Sequence, residues 1–289
     1  MVKFFFPAFF ALTSLIWGSS PHFLWQVSDS NSSVWVLGSI HMAPKGMYPL
    51  DSLIEKAFAN SRELAVELNI NDDSTLAHTQ EAFVRNGMYT NSDLVTNHLS
   101  KPMLKRLDSL FNVWDMPSRG FLTLKPWFLA VQIGLLAAER EGLESEQGID
   151  EHFLQEAETW KKSITALETV AQQMGIFEAL PDSLQEPLLE WTLSELEDAG
   201  GLVDSMFLAW KAGDTLMMEH IALDDQDDPR FQAFFERLYT DRNQTMANRI
   251  AEFLRQDRKV FVVVGSAHLV GEGSVLCLLR QQGFRVEQK

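Results

Sequence analysis

Val260-Phe261-Val262-Val263-Val264-Gly265-Ser266-Ala267-His268 is the stretch from which the fold can be read. Its five consecutive apolar, β-favouring residues describe a strand covered on both faces, because a strand with one wet face would alternate. Glycine then allows the backbone to leave the strand sharply, which aims the following side chains beyond its C-terminal end. Val36-Leu37-Gly38-Ser39-Ile40-His41 repeats this design near the other end of the chain. Buried strands alternating with helices imply an α/β fold with a mostly parallel or mixed central sheet; an α+β arrangement is the alternative.

Working outward, Phe23 to Val27 and Val34 to Leu37 flank the polar cluster Ser28 to Ser33 and read as a hairpin. Leu50, Leu53, Ile54, Ala57 and Phe58 have the i, i+3, i+4, i+7, i+8 spacing of an amphipathic helix, and Leu64 to Leu68 reads as a strand. The span from about 75 to 212 is a large helical insertion, broken at Pro102, Pro117, Pro126, Gly148, Pro181 and Gly200-Gly201, with one strand at Ser163 to Leu167. A long helix precedes Val260; a helix at Ser274 to Gln282 and a strand at Phe284 to Glu287 close the chain. Residues 21–289 are expected to form one domain with flanking helices.

Composition narrows the function. The 289 residues are 46% hydrophobic and 11% aromatic, which excludes a disordered chain. Acidic residues outnumber basic ones 40 to 24, a formal charge of -16 that repels a phosphate backbone, so nucleic acid is not an expected partner. Cys277 is the only cysteine, which excludes an internal disulfide and a thiolate-rich metal cluster; among Val275, Leu276, Leu278 and Leu279 it is expected to be buried.

Residues 1–20 read as a secretory signal peptide: Lys3 supplies charge, Phe4 to Trp17 is almost wholly apolar, and Gly18, Ser19 and Ser20 suit cleavage. An uncleaved interfacial anchor is the alternative. No later stretch resembles a membrane span, and the expected location is secreted or periplasmic.

Four side chains carry the candidate chemistry. His41 and His268 follow Gly-Ser at two strand ends, where ligands bind in open α/β sheets, and two imidazoles at one edge suit a shared metal ion. Each Gly-x-x-His taken alone also fits a histidine satisfied within the fold. Glu67 lies in Leu64-Ala65-Val66-Glu67-Leu68, either facing water or meeting a cation inside. Arg242 shares a helix face with Leu238, Met246, Ile250 and Phe253, so its guanidinium either snorkels to the rim or meets an anion. His22, His78, His98, His152 and His220 are expected at the surface. The Asp224, Asp225, Asp227 and Asp228 run lacks EF-hand spacing. No His-Glu-x-x-His occurs, which excludes an ordinary helical zincin.

Taken in order, Leu24-Trp25-x-Val27, Leu37-Gly38-Ser39-Ile40-His41, Tyr48-Pro49-Leu50, Val66-Glu67-Leu68, Lys125-Pro126-Trp127, Gly148-Ile149-Asp150, Leu167-Glu168-Thr169, Arg242-Asn243 and Val264 to Gly271 resemble the TraB/PrgY/GumN family, in its GumN-like branch, to which the TIKI metalloproteases are related. The resemblance implies metal-dependent peptide cleavage supported by two Gly-x-x-His motifs and a glutamate. It gives His41 and His268 as metal ligands, Glu67 as a third ligand or as the general base, and all three as catalytic residues with Arg242. The divalent ion would be manganese, cobalt or zinc, and the substrate a peptide or small molecule. Arg242 would stabilise an oxyanion or hold a substrate carboxylate, and Asp150 and Glu168 would orient a histidine. Asn69 stands where relatives often have Asp, which implies weaker metal affinity if that Asp is a ligand. The competing implication is an envelope protein that sequesters a peptide or other ligand without cleaving it.

Overall fold

The computed structural model describes residues 21–196, 199–223 and 228–289. The expected signal peptide, 1–20, lies outside these residues, as do Asp224, Asp225 and Asp227 of the acidic run.

The chain opens with the hairpin β1 (Leu24–Ser28) and β2 (Ser33–Ser39), then the short β3 (Ala43–Pro44), α1 (Ser52–Asn60) and β4 (Glu63–Val66). Helices α2 (Asp73–Gly87), α3 (Lys101–Val113) and α4 (Pro126–Arg140) follow. The chain then returns through β5 (Leu143–Glu144), α5 (Ile149–Thr159) and β6 (Ser163–Ala166). Helices α6 (Val170–Glu178), α7 (Asp182–Glu195), α8 (Ala199–Ala212), α9 (Thr215–Leu223) and α10 (Gln232–Phe235) lead into a π-helical turn, Glu236–Thr240, and α11 (Asp241–Arg255). The last elements are β7 (Val260–Gly265), α12 (Val275–Gln281) and β8 (Arg285–Gln288).

Six strands form one mixed sheet in the order β6-β4-β7-β2-β1-β8. The first four positions are parallel, and β1 and β8 extend the sheet antiparallel. β7 inserts between β4 and β2 and is buried along its whole length, which its unbroken apolar sequence requires. Phe261 packs on Phe58 of α1 and Phe153 of α5 on one face. With that face filled, full burial of β7 needs cover on the other, where α11 lies against β2 and α12.

The helix-rich span expected over 75–212 divides between two apolar cores. Helices α2, α3, α4, α6 and α7 build one around Phe111, Trp127, Ile133 and Leu189, joined by Phe234 and Phe235 from beyond that span. By contrast, α5 packs on the sheet, and Phe207 and Trp210 of α8 belong to the sheet core. The Trp210 indole N–H donates to the Gly38 carbonyl (2.7 Å), fastening α8 to the end of β2.

Candidate functional site

The sheet topology brings the expected residues to one edge. In the parallel ladder Ser39 pairs with Gly265 and Val66 with Val263, so β2, β7 and β4 end side by side. His41, Glu67 and His268 follow these ends by a few residues, and Glu168 follows β6. This edge is where backbone groups turn outward and ligands enter an α/β sheet.

Each imidazole is held by its Nδ1. Asp150 Oδ1 lies 3.1 Å from His41 Nδ1 and also accepts from Ser39 Oγ. A carboxylate only accepts, so His41 Nδ1 carries the proton. Asn243 Oδ1 lies 2.7 Å from His268 Nδ1, and the same amide donates Nδ2–H to the Gly273 carbonyl, which fixes its oxygen toward the ring. His268 therefore also donates from Nδ1 and presents Nε2 as its lone pair. The position a Cβ on Gly265 would take lies 3.3 Å from Glu67 Oε1, 3.4 Å from His41 Nε2 and 3.5 Å from His268 Cδ2. The three side chains thus surround one point on the strand end.

Arg242 is drawn fully into this cluster. Its Nε–H donates to Glu168 (2.9 and 3.1 Å), Nη2 donates to Glu67 Oε2 (2.5 Å) and Glu168 Oε2 (2.8 Å), and Nη1 donates to the Leu238 carbonyl (3.2 Å). One Nη1–H is left over from the five N–H donors of a guanidinium. Glu168, expected to orient a histidine, instead grips Arg242, while Asp150 does orient one. Arg242 thus braces Glu67 through Nη2, leaving that one Nη1–H for an oxyanion or a substrate carboxylate.

The electrostatics follow. Loss of solvation opposes charge on Glu67, but His268, Arg242, His41 and the Gly265 N–H (2.7 Å) hold its pKa down, at about 2. Burial lowers the pKa of His268 to about 4, so this ring is neutral at neutral pH. His41 opens to the cleft with its side chain 62% exposed. Desolvation works to lower its pKa, yet Asp150 and Glu67 raise it to about 9.

Two clefts meet at this cluster. One, of about 470 Å³, runs under the α8–α9 hairpin along Val203, Met206, Met218 and Ile221; the other, of about 510 Å³, runs along Ile70, Phe83, Ile176 and Phe177. Both are bounded by Ser39, His41, Glu67, Leu238 and Arg242. Tyr239, set into the first cleft by the π-helical turn, has its ring 5.6 Å from that of His268. Its phenol makes no hydrogen bond among the described residues, whereas the Ser39 and Ser266 hydroxyls are both engaged. Sequence reading missed Tyr239 and Asn243; the Arg242-Asn243 pair was the available signal for the latter.

The donor set has the chemical composition of a catalytic divalent-metal site, two imidazoles and a carboxylate, with both rings oriented from behind. Among the described residues, no three His, Cys, Asp or Glu stand at metal-binding spacing. Glu67 leans toward Arg242, and its Oε1 is 3.9 Å from His268 Nε2.

Other expectations resolve locally. Asn69 lines a separate cavity of about 590 Å³ on the far side of Glu168, and its buried Oδ1 has no partner among the described residues. His78, His98 and His220 are exposed, but His152 is half-buried and stacked on Tyr48 at 4.0 Å. Cys277 is half-buried, because α12 turns Val275, Leu276 and Leu279 inward and leaves Cys277 on its flank. No described helix is long and apolar enough to cross a membrane.

The fold and edge cluster define an α/β protein with a convergent polar site, and comparison with known proteins gives its family. Residues 23–288 match the TraB/PrgY/gumN family, and the chain belongs to it. It is similar to the uncharacterized protein YbaP of Escherichia coli strain K12, 25% identical over 263 residues that cover 90% of this chain and 94% of YbaP. It is also similar to a metalloprotease TIKI homolog of Nematostella vectensis, 22% identical over 320 residues that cover 92% of this chain and 66% of that protein. No solved structure matches it.

Proposed function

We propose that the protein is a divalent-metal-dependent hydrolase of amide or ester bonds that works outside the cytoplasm. The observation that carries this reading is the paired anchoring of His41 by Asp150 and His268 by Asn243, which turns two Nε2 atoms toward the Glu67 carboxylate. His41, His268 and Glu67 would hold the ion. When bound, manganese, cobalt or zinc supplies Lewis-acid chemistry, polarising a carbonyl and acidifying a water. Glu67, held ionised by Arg242 and by the Gly265 N–H, would serve as the third ligand. Arg242, itself fixed by Glu168, keeps Glu67 ionised and in place. Tyr239 presents a free O–H to the carbonyl oxygen as negative charge develops there. The expected export rests on the apolar N-terminal run, Phe4 to Trp17.

The relationship to a metalloprotease TIKI homolog supports the peptide as substrate class. Incubating the full chain with a peptide library and manganese, cobalt or zinc tests the reading. Turnover that a chelator abolishes, and that a His41→Ala, His268→Ala double variant lacks, is expected; turnover in the variant contradicts it. A ligand-sequestering role is the second reading, favoured by the apolar lining of a cleft large enough for a small molecule. Ligand binding that survives loss of both histidines, without turnover, selects that role.

A further inference from the structure

The candidate centre stands at the junction of two clefts rather than at the blind end of one. His41, Glu67 and Arg242 border both the 470 Å³ cleft and the 510 Å³ cleft. Beyond the cluster each has mainly apolar walls: Val203, Met206 and Met218 on one side, Phe83, Ile176 and Phe177 on the other. Among the described residues, the charged side chains lining either cleft are those of the cluster itself.

That distribution matters because a chain terminus needs a counter-charge. A terminal carboxylate would need a cation, but Arg242 is paired with Glu67 and Glu168, and the His41 ring is paired with Asp150. A terminal ammonium would need a free carboxylate; Glu67 is held by Arg242 and Gly265, and Asp150 is balanced by the His41 ring. An unpaired terminal charge placed against the apolar walls would lose hydration without a partner. Bulky apolar groups, in contrast, gain from leaving water on both sides.

We infer that the site takes the interior of an extended polypeptide, with large apolar side chains on both sides of the reacting carbonyl, and grips neither terminus. This rests on the hydrolase reading for its chemistry: water adds to the carbonyl carbon, the C–N bond breaks, and the products are a carboxylate and an amine that carries the transferred proton. Its geometric part concerns occupancy of both clefts and is measured separately.

The experiment uses the full chain with manganese and internally quenched peptides centred on Phe, Leu and Met. Each peptide is made with free ends and with acetyl and amide blocks. Blocked and free forms are expected to share kcat/KM within about threefold, and Lys or Asp beside the cleaved bond to lower it by about tenfold or more. Met206→Glu and Ile176→Glu, one in each cleft, are each expected to lower kcat/KM by about tenfold without changing the manganese isotherm. Preference for a free end by more than about tenfold, or an unchanged rate in both variants, overturns the inference. If manganese binds and no peptide is cut, the hydrolase reading fails. Hydrogen exchange then decides occupancy: a blocked apolar peptide must protect both 202–222 and 170–178, and protection of one wall or neither overturns the inference.

Discussion

Asp150 and Asn243 hold the same atom in two different rings, and the difference between them sets the charge of the centre. A carboxylate behind His41 favours the protonated ring, at about 9, whereas an amide behind buried His268 leaves it neutral, at about 4. Asp150→Ala is therefore expected to move the His41 pKa down toward 6.5 in the metal-free protein, read by NMR titration. The same change should weaken metal affinity by about 10- to 100-fold, because the ring loses its orienting partner. Tyr239→Phe is expected to lower kcat by about a hundredfold and leave the metal isotherm unchanged; an unchanged kcat removes the phenol from the mechanism. Metal-free stability should also depend on pH in a defined way. His268 titrates at 6.5 unfolded and about 4 folded, so the unfolded chain binds more protons and stability falls as pH drops from 6.5 through 4. His41 has the opposite sign: its folded value of about 9 gives stability that is present below 6.5 and lost as pH rises through 9. Urea unfolding at several pH values checks this, and His268→Gln should flatten the acidic limb. Spacing placed Arg242 on the apolar face of its helix but could not choose between snorkelling to the rim and meeting an anion, since its partner Glu168 is 74 residues away in sequence. Tyr239 escaped notice because a regular helical pattern through Leu238, Arg242 and Met246 hides the π-helical turn, whose extra residue brings a further side chain round to the cleft.

At the scale of elements, the two Gly-Ser turns are equivalent in sequence and different in structure. A Cβ on Gly38 would meet the Phe23 ring at 2.4 Å and Ser266 Oγ at 2.8 Å, so this glycine lets the hairpin close over the neighbouring turn. A Cβ on Gly265 would instead sit among Glu67, His41 and His268 at 3.3 to 3.5 Å. Gly38→Ala is expected to cost about 1–3 kcal/mol of stability by overpacking while leaving metal affinity intact. Gly265→Ala should do the reverse, weakening metal binding in a protein of nearly unchanged denaturant midpoint. Paired unfolding and calorimetric measurements distinguish these outcomes, and equal effects on both quantities would contradict the assignment. The strands were legible because Val260 to Val264 and Val34 to Leu37 carry their burial in composition. The division of the helices was not. Nothing in local sequence tells which core Trp127 and Trp210 join, and only the hydrogen bond to Gly38 and the packing of α8 show which core holds Trp210.

For the whole molecule, the parallel part of the sheet does what local sequence cannot: it brings His41 and His268, far apart in the chain, to neighbouring strand ends on either side of Gly265. Insertion of β7 between β2 and β4 adds Glu67 to the same edge, and the helices around it supply the two apolar clefts. Convergence of these three side chains into one divalent-cation site is the central claim. It is tested most directly by calorimetric titration of the metal-stripped full chain with manganese, cobalt and zinc, beside a His41→Ala, His268→Ala double variant whose fold is verified by circular dichroism. One tight site in the wild type that is lost in the variant is the predicted result; equal binding in the two proteins, or none in either, would contradict it.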